Sequence, residues 1–152
     1  MIRAIEAGDR EVWTPLWRDY LAFYETRLPA AIFDMTWQRL LDPDEPIWGA
    51  LAIGDGGPVG LVHFLYHRSA WTVELSCYLQ DLFVASPVRG GGHGRALIDY
   101  VASKAAQHGS TRLYWTTHES NTTAQRLYDA VAQRSGFIQY RKPLPPSSDQ
   151  TS

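Results

Sequence analysis

The stretch LFVASPVRGGGHGRALIDYV, residues 82–101, constrains this chain more than any other. An apolar run of strand character ends in four glycines within five positions, flanked by Arg89 and Arg95, and the pattern then turns helical. A loop that only reverses the chain needs one or two glycines. A strand that ends in a glycine-rich turn and feeds a helix is an anion site. The N–H groups of the first helical turn point outward with no helical acceptor, and the helix dipole adds about half a positive charge there. Glycines let a bulky diphosphate approach the backbone without a Cβ in the way. Arg89 and Arg95 can add charge-assisted contacts. A nucleoside-triphosphate P-loop needs Lys and then Ser or Thr after its glycines, and none follows here. A dinucleotide fingerprint needs Gly or Ala where Leu97 stands, and an early parallel strand before the loop. The cluster instead follows what reads as an antiparallel meander.

That meander comes from hydrophobic period. MIRAIEA alternates as a short first strand. In residues 9–28 the apolar positions Val12, Trp13, Leu16, Trp17, Tyr20, Leu21 and Tyr24 follow a 3.6-residue period, predicting an amphipathic helix with Pro15 in its early part. Residues 31–42 read as a second helix. Strands over 47–54 and 58–68 flank DGGP, a hairpin signal, and 70–86 is a long strand pattern, bulged or straight. A helix over 94–109 stops at Gly109, a strand covers 111–118, a helix covers 121–136 and a last strand covers 137–143. The predicted order is β-α-α-β-β-β-α-β-α-β. One domain spans residues 1–141, and the proline- and serine-rich residues 142–152 read as a flexible tail.

Composition excludes more than it selects. At 152 residues the chain is long enough for one real core, and 45% apolar with 20% charged residues is ordinary for a globular protein. A net charge of -2 gives no bulk pull toward nucleic acid or membrane. The single cysteine, Cys77, rules out an internal disulfide, fits a cytoplasmic setting and reads as a small core residue. The N-terminus is charged too early for a signal peptide, and no run approaches the ~20 apolar residues of a membrane helix. His63 and His67 are four apart in a strand pattern with no cysteine or carboxylate to complete a metal set; both read as exposed strand positions, and no metal is expected. Six Trp and eight Tyr call for an aromatic core or an aromatic-lined cleft.

RGGGHG, residues 89–94, matches R/Q-x-x-G-x-G/A, and NTTAQRLY, residues 121–128, follows at a suitable spacing. With DLFV before the loop and GRALIDYV after it, the chain resembles the GNAT superfamily of N-acetyltransferases over nearly its whole length, most specifically over residues 78–140. Within the superfamily it resembles the branch with fungal histone, polyamine and D-amino-acid acetyltransferases, and the diamine acetyltransferases through YLQDLFV and LAFYE. The resemblance implies an α/β (α+β) fold with a mixed, mostly antiparallel central sheet, a splayed central strand and helices on both faces. It implies acetyl-CoA as cofactor and a primary amine on a small molecule or peptide as acceptor, without nucleic acid or membrane, and dimers are common in related proteins. The competing reading is a non-catalytic acyl-CoA-binding or sensing module on the same fold.

Residue by residue, the resemblance assigns the pyrophosphate to Arg89, Gly90, Gly91, Gly92, His93, Gly94 and Arg95. The pantetheine arm falls to the backbone of Leu82, Phe83 and Val84, as an added strand whose N–H groups also face the thioester oxygen. Asn121 and Ala124 contact the cofactor at the start of a helix that Asn121 can also cap. Tyr128 is the general acid, since a phenol of pKa ~10 can protonate a departing thiolate. Related diamine acetyltransferases carry Glu where Gln80 stands, and Gln accepts no proton at neutral pH. The base is therefore open between Asp81, Glu74, Glu119 and His118, directly or through water, or is dispensable if the amine arrives neutral. Tyr20, Tyr24, Glu25, Trp71 and Gln80 are the acceptor-site candidates. Glu25 suits a cationic amine, and Tyr20 and Tyr24 serve equally as the apolar stripe of the first helix.

Overall fold

The computed structural model describes residues 1–85 and 90–146. The elements are β1 (Ile2–Ala4), a 3-10 turn (Ala7–Asp9), α1 (Arg10–Phe23), α2 (Ala30–Leu41), β2 (Trp48–Gly54), β3 (Gly57–His67), β4 (Ser76–Val84), α3 (His93–Gln107), β5 (Arg112–Tyr114) and α4 (Thr122–Val131). The chain divides into a unit over Met1–His118 and a second that begins at Glu119.

The first unit holds one sheet in the order β1-β2-β3-β4-β5. The first four strands pair antiparallel, and β5 joins β4 in parallel. The predicted mixed, mostly antiparallel sheet is therefore present. Asp55 and Gly56 make the turn between β2 and β3, whose last pair is Gly54 with Gly57. The β5 pairing ends at Tyr78 with Tyr114, while β4 runs on to Val84. This early end of β5 is the splay expected beside the central strand.

Alternation along β2 and β3 assigns the two faces of the sheet. Leu51 and Leu61 join Trp13, Leu16, Trp17, Leu21, Phe33 and Trp37 in one core beneath α1 and α2. Ala50, Ala52 and Gly60 face the other way, toward α3, which buries Leu97, Ile98, Val101 and Ala105. Small residues bring α3 close: a Cβ on Gly60 would stand 2.7 Å from the Phe83 carbonyl oxygen and 3.4 Å from Leu97 Cδ1. The start of α1 is tied down by Asp9, whose carboxylate accepts two hydrogen bonds from Arg3, at 2.7 and 2.8 Å, and one from the Glu6 backbone N–H at 2.8 Å. Pro15 stays inside α1, because the buried stripe Trp13, Leu16, Trp17 and Leu21 outweighs one missing N–H.

Several elements differ from the sequence reading, among them β5, which covers only Arg112–Tyr114 of the expected 111–118. β4 begins at Ser76, not near Ala70, because Ser69 accepts from the Trp71 N–H at 3.1 Å and Thr72 donates to the Glu74 carbonyl at 2.8 Å, and such local bonds compete with strand pairing. α1 stops at Phe23, not Leu28: Glu25 takes a left-handed φ of 55° and the Thr26 N–H closes back to the Leu21 carbonyl at 2.9 Å. Residues 137–143 form no strand, and Phe137, Ile138 and Tyr140 are 80%, 77% and 89% exposed. An apolar pattern supplies a preference for the extended state, but a strand exists only where its backbone is paired.

Candidate active site

The aromatic residues of α1 stand one turn apart and form a ladder. Trp13 stacks on Trp17 at 6.2 Å, Trp17 on Tyr20 at 4.9 Å, and Tyr20 meets Tyr24 edge-on at 5.1 Å. The ladder starts at fully buried Trp13 and ends at Tyr24, which is 38% exposed. Tyr20 and Tyr24 therefore belong to the helix stripe and also line its open end.

β4 meets the ladder through a bulge. His63 pairs with Asp81, but the next residue of β3, Phe64, pairs with Leu79. Gln80 is the extra residue, exposed and without a register partner in β3. An unbroken strand would turn residues 79 and 81 to the same face. The bulge instead leaves Leu79 opposite Phe64 on the α3 side and turns Asp81 toward α1, beside His63.

The result is a buried polar chain through the core. The Trp13 indole Nε1–H donates to His63 Nε2 at 3.0 Å. His63 Nδ1 lies 3.0 Å from Asp81 Oδ2, and the Tyr20 hydroxyl donates to Asp81 Oδ1 at 2.8 Å. An indole N–H can only donate, so His63 Nε2 must be the acceptor and Nδ1 carries the proton that goes to Asp81. His63 is 1% exposed and Asp81 8%. The reading of His63 as an exposed strand residue is thus corrected: it sits on the core face of β3, and a polar residue is tolerated there because both ring nitrogens are satisfied. Burial pushes the Tyr20 phenol far above the ordinary tyrosine pKa, and the Asp81 charge and hydrogen bond raise it further. Tyr24 is raised as well, by burial first and then by the Asp81 charge. Both phenols therefore hold their protons. Among the described residues Asp81 has no lysine or arginine partner. The arrangement is a buried carboxylate that accepts hydrogen bonds from two neutral donors, suited to attract a cationic amine.

The remaining acceptor candidates stay outside this chain of bonds. Glu25 is exposed in its left-handed turn, and Trp71 is 78% exposed on the turn before β4 together with Glu74. Cys77 is fully buried, and burial pushes its thiol up to about 11, as befits a core residue.

Beyond β4 lies the glycine corner. Arg89 is outside the described residues. Gly90 and Gly92 have φ of 90° and 82°, and α3 starts at His93 with Gly92 as a left-handed N-cap that offers no side-chain acceptor. The first backbone bond runs from the Ala96 N–H to the Gly92 carbonyl at 3.0 Å, so the N–H groups of His93, Gly94 and Arg95 have no acceptor within the helix. Nothing lies within 4 Å of a Cβ built at Gly90 or Gly92. These two are glycine for their φ, and the space around them is open. An uncapped helix N-terminus in open space fits a diphosphate.

In the second unit Asn121 caps α4, its Oδ1 accepting from the Ala124 N–H at 3.3 Å, which is the cap the sequence suggested. Tyr128 lies on the same helix, which ends at Val131, short of Gly136. Glu119 and His118 flank the boundary between the units.

The model of the acetyltransferase (GNAT) family matches residues 11–132. The chain belongs to the GNAT family. Its sequence is 38% identical to the D-amino-acid N-acetyltransferase HPA3 of Saccharomyces cerevisiae, over 93% of this chain and 89% of that one. It is 27% identical to the L-ornithine N5-acetyltransferase NATA1 of Arabidopsis thaliana, over 59% of this chain and 40% of that one. Among solved structures, AAC(6')-Iy, in complex with the bisubstrate analogue CoA-S-monomethyl-acetylneamine, superposes with a TM-score of 0.81 at 20% identity, covering 95% of this chain and 98% of that one. This GNAT domain is an N-acetyltransferase, and acetyltransferases of this fold take acetyl-CoA as donor. No helix among the described residues is long and apolar enough to cross a membrane.

Proposed function

We propose that this GNAT protein transfers an acetyl group from acetyl-CoA to the primary amine of a small amino acid or diamine, by direct attack within a ternary complex. The observation that carries the reading is β4 itself. One strand holds a buried, uncompensated carboxylate at Asp81 and then leads into the uncapped helix start at Gly92 and His93. The glycine corner, Arg89 and Arg95 hold the diphosphate. The backbone of Leu82, Phe83 and Val84, late in β4, takes an added strand of ligand amides. Asn121 and Ala124, which bond to each other, shape the α4 start against the cofactor. When bound, acetyl-CoA supplies an activated acetyl thioester.

Asp81 takes up the proton of the acceptor amine, and Tyr128 holds a phenolic proton for the leaving group. Tyr20, Tyr24, Glu25, Trp71 and Gln80 surround the acceptor. Relatives named for D-amino acids and ornithine support an amino acid or diamine, and the aromatic end of α1 suits a cationic ligand. Release of CoA thiol from acetyl-CoA across D- and L-amino acids, diamines, lysine peptides and aminoglycosides tests this. Turnover confined to small amino acids or diamines is expected. Silence across the panel while CoA still raises the melting temperature would favour a binding module instead.

A further inference from the structure

The proposal above gives Asp81 the proton but leaves unexplained how a carboxylate 8% exposed meets an amine, and why a histidine is buried behind it. Both of its oxygens are already engaged, Oδ2 by His63 and Oδ1 by Tyr20. The group already bonded to Oδ1 is the Tyr20 hydroxyl, half-buried between Asp81 and the open end of the α1 ladder, and it offers a path for a proton to reach that oxygen. His63 cannot swivel, because Trp13 holds its far nitrogen and Trp17 packs edge-on against its ring at 4.9 Å.

We infer that Tyr20 is a proton relay and His63 a positioning residue: His63, locked as its Nδ1–H tautomer by Trp13, fixes the Asp81 carboxylate with Oδ1 aimed at Tyr20, which carries the acceptor amine's proton inward. This rests on the acetyltransferase reading and deepens it. In the step, an ammonium N–H bond breaks and its proton bonds to the Tyr20 oxygen, while the Tyr20 O–H bond breaks and that proton bonds to Asp81 Oδ1. The electron pair of the broken N–H bond stays on nitrogen as the lone pair that attacks. Tyr20 ends as it began, and Asp81 ends as a neutral carboxylic acid, so charge balances. The strongly raised Tyr20 pKa agrees with a phenol that passes a proton without standing as a phenolate. Among the described residues, the titratable groups facing Tyr20 and Asp81 are Tyr24 from α1, His63 from β3 and Tyr78 on β4 itself, and none of them is a lysine or arginine.

The test uses the full-length protein with acetyl-CoA and, separately, D-alanine and L-ornithine as acceptors. Tyr20→Phe and His63→Phe are expected to lower kcat/KM for the amine by about tenfold or more at neutral pH, with KM for acetyl-CoA within about threefold of wild type. His63→Asn, whose amide N–H stands near the lost Nδ1–H, is expected to recover most of that loss. At alkaline pH, where the amine arrives as free base, Tyr20→Phe is expected to approach wild type. A purely structural role would give neither the Asn rescue nor the alkaline recovery, and the absence of both overturns the proposal. Tyr20→Phe, at a half-buried position, serves if His63→Phe fails to fold. Wild-type turnover with Tyr20→Phe unimpaired at neutral pH overturns the relay alone; no wild-type turnover with either acceptor overturns the relay and the acetyltransferase reading together.

Discussion

The middle of β4 and the corner beyond its end present opposite kinds of chemical groups, built from opposite materials. At Asp81 the working groups are side chains, buried and drawn from three elements: Tyr20 from α1, His63 from β3 and Asp81 from β4. At Gly90 to Arg95 they are backbone N–H groups, held outward by two left-handed glycines and a helix start without a cap. The first region is finished before any ligand arrives, with every oxygen of Asp81 engaged. The second is left open, and its donors wait for an anion. Selectivity for a small amine needs desolvated, fixed groups, whereas grip on a diphosphate needs only oriented dipoles and room.

If that contrast is right, damage in one region should spare the other. The largest effect is expected from Asp81→Asn, with kcat/KM falling about 10²–10⁴-fold while the thermal shift given by CoA is kept; loss of the CoA shift as well would mean that the two regions are not separable. Gly92→Val puts a β-branched residue at a φ of 82°, and should cost about 1–2 kcal/mol in urea unfolding and shrink the CoA thermal shift. An undiminished shift would move the anion site elsewhere.

A control outside both regions is the Arg3–Asp9 pair. The Arg3 guanidinium hydrogen-bonded to it holds the Asp9 carboxyl below its ordinary value. A lowered carboxyl stabilises the fold above its unfolded pKa, and that contribution is lost as pH falls through the folded value. Asp9→Asn should therefore cost about 1 kcal/mol at neutral pH, a modest figure because Arg3 is partly solvated, and the difference from wild type should vanish in acid. The smallest effect sharpens the role of the α1 end. Glu25→Gly relieves a left-handed φ of 55° and should stabilise the fold by about 1 kcal/mol. A simultaneous rise in KM for the amine, with KM for acetyl-CoA unchanged, would make Glu25 an acceptor contact; a stability gain alone would make it only a helix terminus.

The same contrast explains what could be read in advance. The glycine corner, the α1 stripe, the hairpin at Asp55 and Gly56, the cap at Asn121 and the stop at Gly109 are all encoded within a few residues, because φ preferences, capping and hydrophobic period act locally. His63 escaped notice for the opposite reason. Its spacing from His67 suggested a ligand pair and its strand context suggested exposure, while the groups that satisfy it lie 18 residues away at Asp81 and 50 away at Trp13. The one available signal was a histidine between apolar residues in a strand, facing a helix rich in Trp and Tyr.

By itself the sequence determined the family motifs, the glycine corner and most of the elements. Only the tertiary structure decided which carboxylate is buried among donors, because that depends on the one-residue bulge at Gln80 turning Asp81 to the α1 face. It also decided that Tyr20 and Asp81, 61 residues apart, share a hydrogen bond, and that residues 137–143 do not become a strand despite their pattern. Local preferences are set by neighbouring atoms along the chain; burial, strand pairing and the partners of a polar group are set by what the fold brings alongside.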